Sequence, residues 1–253
     1  MRSNKKANKI PDIGIEKSRV LNKLTPFVVK ETYKALRTNI MFALPENNED
    51  TGEIIIFTSA IPGEGKTTVC INTAITFAQT GAKVLLIDSD LRRPKHHKYF
   101  EISSDVGFSD VLGGFSKIED VTVHIKAHNL DCVPCGHIPP NPTELLASKK
   151  TSDLLEELKK KYDYIFIDTP PINVVTDALA LAPIVSGVAL VIREKYTTHA
   201  AFRRILQSLQ FANAKILGIV DNCADIQREN NRTYKKSSYG SYRKYGYYTE
   251  EYK

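Results

Sequence analysis

The chain has 253 residues, 42 % of them hydrophobic, and a formal net charge of +6. That is enough apolar material for one α/β domain with a full core, and no apolar run approaches the ~18 residues of a membrane-spanning helix. The start MRSNKKANK lacks the apolar segment of a signal peptide, so a cytoplasmic protein is expected. The positive charge is spread along the chain and admits nucleic acid, an acidic membrane surface or a phosphorylated ligand as partner without choosing among them.

Residues 1–28 are polar and basic, contain Pro11 and Pro26, and read as an extended arm. A domain is expected over 29–226, opening with a helix from about Val29 to Phe42. Strand signals follow at Ile54 to Thr58, Val84 to Asp88, Leu130 to Val133, Tyr164 to Asp168, Val188 to Ile192 and Ile216 to Val220. Most are unbroken aliphatic or β-branched runs, the pattern of strands buried on both faces. Helical stretches alternate with them at Thr67 to Thr80, Ser152 to Lys161 and Thr198 to Phe211. The alternation predicts an α/β fold, a mostly parallel twisted sheet flanked by helices, with its active groups at the carboxyl ends of the strands.

The first of those strands, EIIIFTS, runs into AIPGEGKTT, Ala60 to Thr68, and then into a helix. Strand, glycine turn and helix in that order make a P-loop, with Ala60 at the usual first glycine. Pro62, Gly63, Glu64, Gly65, Lys66, Thr67 and Thr68 are expected to hold the phosphates of ATP. The glycines let backbone amides close on phosphate oxygens, Lys66 reaches the β- and γ-phosphates, and the Thr67 hydroxyl binds Mg²⁺. VLLIDSDLRRP ends its strand with Asp88 and Asp90, and YIFIDTPP ends another with Asp168. Three acids at strand ends in a sheet that also presents a P-loop point to one metal and phosphate site. Thr67, Asp90 and Asp168 form its metal set, and Asp168 takes the Walker B role. Arg92 and Arg93 stand close enough in sequence to touch ATP or substrate, with surface contacts as the alternative.

The remaining signals are weaker. Cys132 and Cys135 form a CVPC pair, but NLDCVPCG reads as a strand ending in a turn, whereas a redox pair opens a helix. The adjacent His96 and His97 do not aim at one ion and are expected in a surface loop. IPPNPTELL, from Ile138, reads as a rigid turn leading into a helix, and Asn222 stands where an adenine contact is expected.

The tail, 227–253, holds seven of the twelve tyrosines: Tyr234, Tyr239, Tyr242, Tyr245, Tyr247, Tyr248 and Tyr252. No Ala, Val, Ile, Leu, Met or Phe follows Ile226, so the rings lack partners for a core and the segment reads as disordered. It is open to three readings: substrate tyrosines, a single-strand nucleic-acid binder with Lys and Arg between stacking rings, or a solvated end.

Taken together, AIPGEGKTT, VLLIDSDLRRP, YIFIDTPP, GHIPPNPTELLAS and the tyrosine-rich tail resemble the bacterial tyrosine kinases of exopolysaccharide and capsule synthesis, over nearly the whole chain. The resemblance implies an ATP- and Mg²⁺-dependent protein-tyrosine kinase that autophosphorylates its tail within an oligomer. VLLIDSDLRRP takes the place of the family's Walker A′ motif, which makes Lys66, Thr67, Asp88, Asp90 and Asp168 the catalytic set. Asp88 is expected to take the tyrosine proton and Asp90 to organise metal-bound water, with the exchange of these two roles as the alternative. ETYKALR resembles the family's ExxRxxR helix for ring assembly, with Glu31, Lys34 and Arg37 at the motif positions. Lys34 replaces an arginine there, and an ordinary solvated stripe with Glu31 paired to Lys34 is the alternative. The expected partners are other copies of the chain, a membrane-embedded activator of the polysaccharide chain-length-regulator type that recruits the kinase to the inner face of the membrane, a tyrosine phosphatase and further protein substrates, with no nucleic acid. The rival reading is a partitioning or division-site switch ATPase. Its loop reads KGGxGKT, and the signature lysine falls on Ile61 here.

Overall fold

A computed structural model describes residues 16–45 and 51–224. The chain separates after Asn222 into two units. All the elements below belong to the first, and the tail tyrosines lie outside the described residues.

The elements are α1 (Phe27–Ala43), β1 (Glu53–Ser59), α2 (Lys66–Ala78), β2 (Val84–Asp88), α3 (His96–Phe100), α4 (Phe108–Gly113), α5 (Ile118–Val121), β3 (Val123–Ile125), β4 (Leu130–Val133), α6 (Pro142–Leu146), α7 (Lys149–Lys159), β5 (Tyr164–Asp168), α8 (Asp177–Leu181), β6 (Gly187–Arg193), α9 (His199–Phe211) and β7 (Ile216–Asn222). A 3₁₀ turn, Ala182–Ile184, joins α8 to β6. Seven strands form one sheet in the order β3-β4-β2-β5-β1-β6-β7, parallel throughout except for the β3–β4 pair.

Side chains alternate across each strand, and both faces are covered, so the central strands are apolar along their middles and carry polar residues at their ends. Ile54 and Ile56, Leu85 and Ile87, Ile165 and Ile167 pack on one face beneath α4, α5, α7 and α9. Ile55 and Phe57, Leu86 and Phe166 pack on the other against α2 and Ile40 of α1. There Phe77 meets Phe166 edge-on at 5.0 Å. α6 opens with Pro142, where a missing N–H costs nothing, as the turn-then-helix reading of IPPNPTELL anticipates.

Two expectations change. β3 escapes the sequence reading because three half-exposed residues on an antiparallel edge carry no unbroken apolar run. The stretch read as an extended arm is, from Glu16 onward, partly docked: Val20 and Leu21 are buried in the second apolar layer, and Leu21 N donates to Asn72 Oδ1 at 2.9 Å.

Candidate active site

Strand order brings the three motifs together. β2, β5 and β1 are parallel neighbours, so their carboxyl ends emerge side by side, and the register sets Asp88 opposite Asp168 and Asp168 opposite Phe57. The P-loop leaves β1 and enters α2 through Gly65, at φ 88°. That left-handed backbone favours glycine, and a Cβ there would lie 2.1 Å from Asn222 Nδ2.

The loop is held from outside. Its carbonyls accept from Asn222 Nδ2 (Glu64 O, 2.8 Å), Tyr196 Oη (Pro62 O, 3.0 Å) and Arg193 Nη1 (Gly63 O, 3.3 Å). Glu64, buried, accepts from Ile61 N at 2.8 Å through one carboxylate oxygen and from the Thr197 hydroxyl through the other. These contacts engage carbonyls and a side chain, so no loop amide other than that of Ile61 is consumed by them. Asn222 therefore braces the loop through Glu64 O at the edge of the nucleotide turn and does not line the cleft itself. Arg193, Tyr196 and Thr197 went unread in the sequence because they stand some 130 residues from the loop they support.

A cleft of about 490 Å³ lies over the loop, lined by Pro62 to Thr68, Asp90 and residues that follow each acidic strand. Lys66 Nζ donates to Asp168 Oδ1 at 2.5 Å and stands 4.0 Å from Asp90 Oδ2. The Thr67 hydroxyl donates to Asp168 Oδ2 at 2.7 Å. Burial works against the Lys66 charge, but Asp168 and Asp90 outweigh it and raise its pKa. Burial likewise favours a neutral Asp168, yet Lys66 and His96 hold its carboxyl well below the usual range. Asp90 goes the other way: desolvation raises its carboxyl by more than Lys66 lowers it. Hydroxyl and carboxylate oxygens are the hard donors that suit Mg²⁺, so Thr67, Asp168 and Asp90 fit the ion the motifs imply.

Asp88 differs from its two partners. It is buried, does not line the cleft, and its Oδ2 accepts from the amides of Lys95 at 2.8 Å and His96 at 2.9 Å. His96 is not in a surface loop, as expected, but fully buried on α3. Its Nε2 stands 3.5 Å from Asp168 Oδ2 as a charge contact, and its Nδ1 3.9 Å from Cys132 Sγ. Burial opposes a charged imidazole, but Asp88 and Asp168 raise its pKa well above the ordinary value. Ligand atoms of Asp88, His96 and Asp168 come within 4.8 Å of one another, but Asp88 is committed to two backbone amides away from the cleft.

A family model described as an AAA domain matches residues 52–218. The tyrosine-protein kinase YwqD of Bacillus subtilis (strain 168) is 39 % identical over 84 % of this chain and 85 % of its own. The putative tyrosine-protein kinase CapB of Staphylococcus aureus is 36 % identical over 81 % and 89 %. Among solved structures, the chimerical protein CapA2B2 superposes with a TM-score of 0.75 at 31 % identity, covering 82 % of this chain and 91 % of that one. The chain belongs to the bacterial tyrosine-protein kinase family.

Around the kinase site, other expected residues find definite partners. Arg92 is taken up by Asp177, with Nε to Oδ2 at 3.0 Å and Nη2 to Oδ1 at 3.2 Å, and Nη2 also reaches the Thr143 hydroxyl at 3.3 Å. Thr143 in turn donates to Asp177 at 2.5 Å, so NPTELL is tied to Arg92 of VLLIDSDLRRP and to the start of α8. Asp177 carries no sequence signal of its own. Cys132 and Cys135 are buried thiols whose pKa values burial raises, which suits packing and opposes redox chemistry. On α1, Lys34 pairs with Glu31 at 2.7 Å, while Arg37 Nη1 donates to Thr76 O on α2 at 2.7 Å. Within one chain these three residues make a local pair and a helix brace. Among the described residues no helix is long and apolar enough to cross a membrane.

Proposed function

We propose that this kinase transfers the γ-phosphoryl group of ATP to tyrosines of its own tail, in trans between copies, and regulates exopolysaccharide or capsule synthesis. One observation supports the chemistry above all: Lys66, Thr67, Asp168 and Asp90 converge at the mouth of a braced P-loop. Gly63 to Thr68 present the loop amides to the triphosphate behind Pro62, and Lys66 exchanges Asp168 for phosphate oxygens when ATP arrives. Thr67, Asp168 and Asp90 would hold Mg²⁺, which when bound shields the negative charge of the phosphates.

The acceptor hydroxyl has a pKa of ~10 and arrives protonated, so the chain must take up its proton as the new O–P bond forms. Of the two interchangeable acids, Asp90 lines the cleft and is the one placed to take that proton, directly or through metal-bound water. Asp88 serves instead as a positioning residue, fixing through two amides the turn that carries Asp90. A tail without aliphatic residues can be threaded into a neighbouring molecule's cleft, which a tyrosine packed in a core cannot.

Self-association is favoured by α1, where Phe27, Val28, Met41 and Phe42 are 61, 56, 49 and 86 % exposed. We assign ring assembly to this helix, recruitment to the membrane face to a separate activator, and reversal to a tyrosine phosphatase. The test is incubation with γ-labelled ATP and Mg²⁺, with the activator's cytoplasmic segment supplied, followed by mapping of the label. Label on Tyr234 to Tyr252 that is lost in Asp90→Asn is the expected result; release of free phosphate alone would make the chain a switch ATPase.

Phosphorylation should also change assembly. Arg228, Arg232, Lys235, Lys236, Arg243, Lys244 and Lys253 against Glu229, Glu250 and Glu251 leave the tail mildly basic. Seven phosphates, each of about −1.5 to −2, would make it strongly acidic. The expected outcome by light scattering is a ring before modification and smaller species after; an unchanged mass would remove the switch.

A further inference from the structure

Transfer needs a place for the acceptor as well as for ATP, and the cleft is lined by residues beyond the P-loop and the acids. Two segments supply them, each running on directly from a strand that ends at the site. After Asp168 come Pro170, Pro171, Val174 and Val175; after Asp90 come Arg93 and Lys95; Arg19 joins them, and all line the same cleft. Val174 is 59 % exposed, a large apolar side chain left uncovered beside buried carboxylates. The main chains of Arg93 and Lys95 are fixed, their amides donating to Asp90 and Asp88, so the side chains leave from fixed points on the rim. Arg92 is spent on Asp177, whereas the side chains of Arg19, Arg93 and Lys95 make no ion pair among the described residues.

We infer that these residues form an acceptor subsite: Pro171 and Val174 receive the tyrosine ring, and Arg93, Lys95 and Arg19 bind acidic or already phosphorylated residues beside it. The segments leave the carboxyl ends of β5 and β2, so they border the point where phosphoryl transfer occurs. Apolar surface is suited to an aromatic ring, and free guanidinium and ammonium groups to carboxylate and phosphate oxygens. The inference rests on the tail being substrate. In that tail Glu250 and Glu251 lie between Tyr248 and Tyr252, and every phosphate added places a further charge of about −1.5 to −2 beside the next tyrosine. The consequence is order: a first phosphorylation makes the neighbouring tyrosine a better acceptor.

The test uses the full chain with its seven tail tyrosines replaced by phenylalanine, and three peptides of residues 244–253: KYGYYTEEYK, its Glu250→Gln, Glu251→Gln form, and a form phosphorylated on Tyr252. Transfer gives kcat/KM, and fluorescence anisotropy of labelled peptide gives binding without turnover. The acidic and phosphorylated peptides should be favoured about tenfold over the glutamine form, the sum of a few partly screened ion pairs. Arg93→Glu with Lys95→Glu should reverse that preference. Arg93→Ala with Lys95→Ala, expected to erase it, guards against a charge-reversed chain that fails to fold. Equal kcat/KM for all three peptides, or a preference that survives both double variants, overturns the subsite. A rise in KM for ATP with the peptide preference intact also overturns it and assigns the cations to the nucleotide. If the acidic peptides bind preferentially but none is phosphorylated, the tail reading fails while the subsite stands.

Discussion

Replacing Gly65 by alanine should destabilise the protein by an amount that depends on a residue 157 positions away. Gly65 sits at φ +88°, where an L side chain costs roughly 1–2 kcal/mol. The new Cβ would also stand 2.1 Å from Asn222 Nδ2, closer than any real contact. The least costly escape is for Asn222 to swing away and give up its 2.8 Å bond to Glu64 O, worth about 1 kcal/mol. Gly65→Ala should therefore lose about 2–3 kcal/mol, or roughly 4–12 °C in Tm for a domain of this size. Asn222→Ala alone should lose about 1 kcal/mol. In the double variant the hydrogen bond cannot be lost twice, so the losses should fall short of additivity by about 1 kcal/mol. Urea denaturation of the nucleotide-free protein measures all four corners of the cycle. Additive losses would show that Asn222 does not brace the loop, and the account of a P-loop held by the ends of β6 and β7 would fail.

Two further outcomes follow from the buried charges. Asp177 is fully buried whereas the Arg92 side chain is 40 % exposed, so the pair should break asymmetrically. Arg92→Ala leaves a buried carboxylate with Thr143 alone and should cost about 3 kcal/mol, whereas Asp177→Asn, after which Arg92 turns to water, should cost about 1; equal losses by chemical denaturation would contradict this. The Asp168 carboxyl is held below its unfolded value, so the unfolded chain binds the extra proton as pH falls. Its contribution is full above the ordinary carboxylate pKa of about 4 and is lost as pH falls through the depressed folded value. The acid limb of a Tm-versus-pH curve should be shallower in Asp168→Asn, and an unchanged limb would show that Lys66 and His96 do not hold the charge.

What lies within a short span of chain was legible without coordinates. The glycine turn of AIPGEGKTT sits between an apolar run and a helix, and each of those signals is local. The runs VLLID and YIFID are apolar because both faces of the sheet are covered, and each carries its acid at the end where a parallel strand delivers it. Conformational preference and alternate-face burial act over a few residues, so motif, strand and approximate boundaries could be read together.

The rest depended on which strands become neighbours. Only the placing of β2 beside β5 sets Asp88 against Asp168, and the same placing buries His96 between them. Only the return of β7 to the edge beyond β6 carries Asn222 to the loop that β1 launched. Arg92 finds Asp177 across 85 residues for a similar reason. Such contacts link side chains with no periodicity or spacing in common, because their partner is chosen by how a whole sheet packs. The chemistry was thus written locally, while the division of labour among the acids, and the bracing that holds the loop ready, came from the tertiary fold.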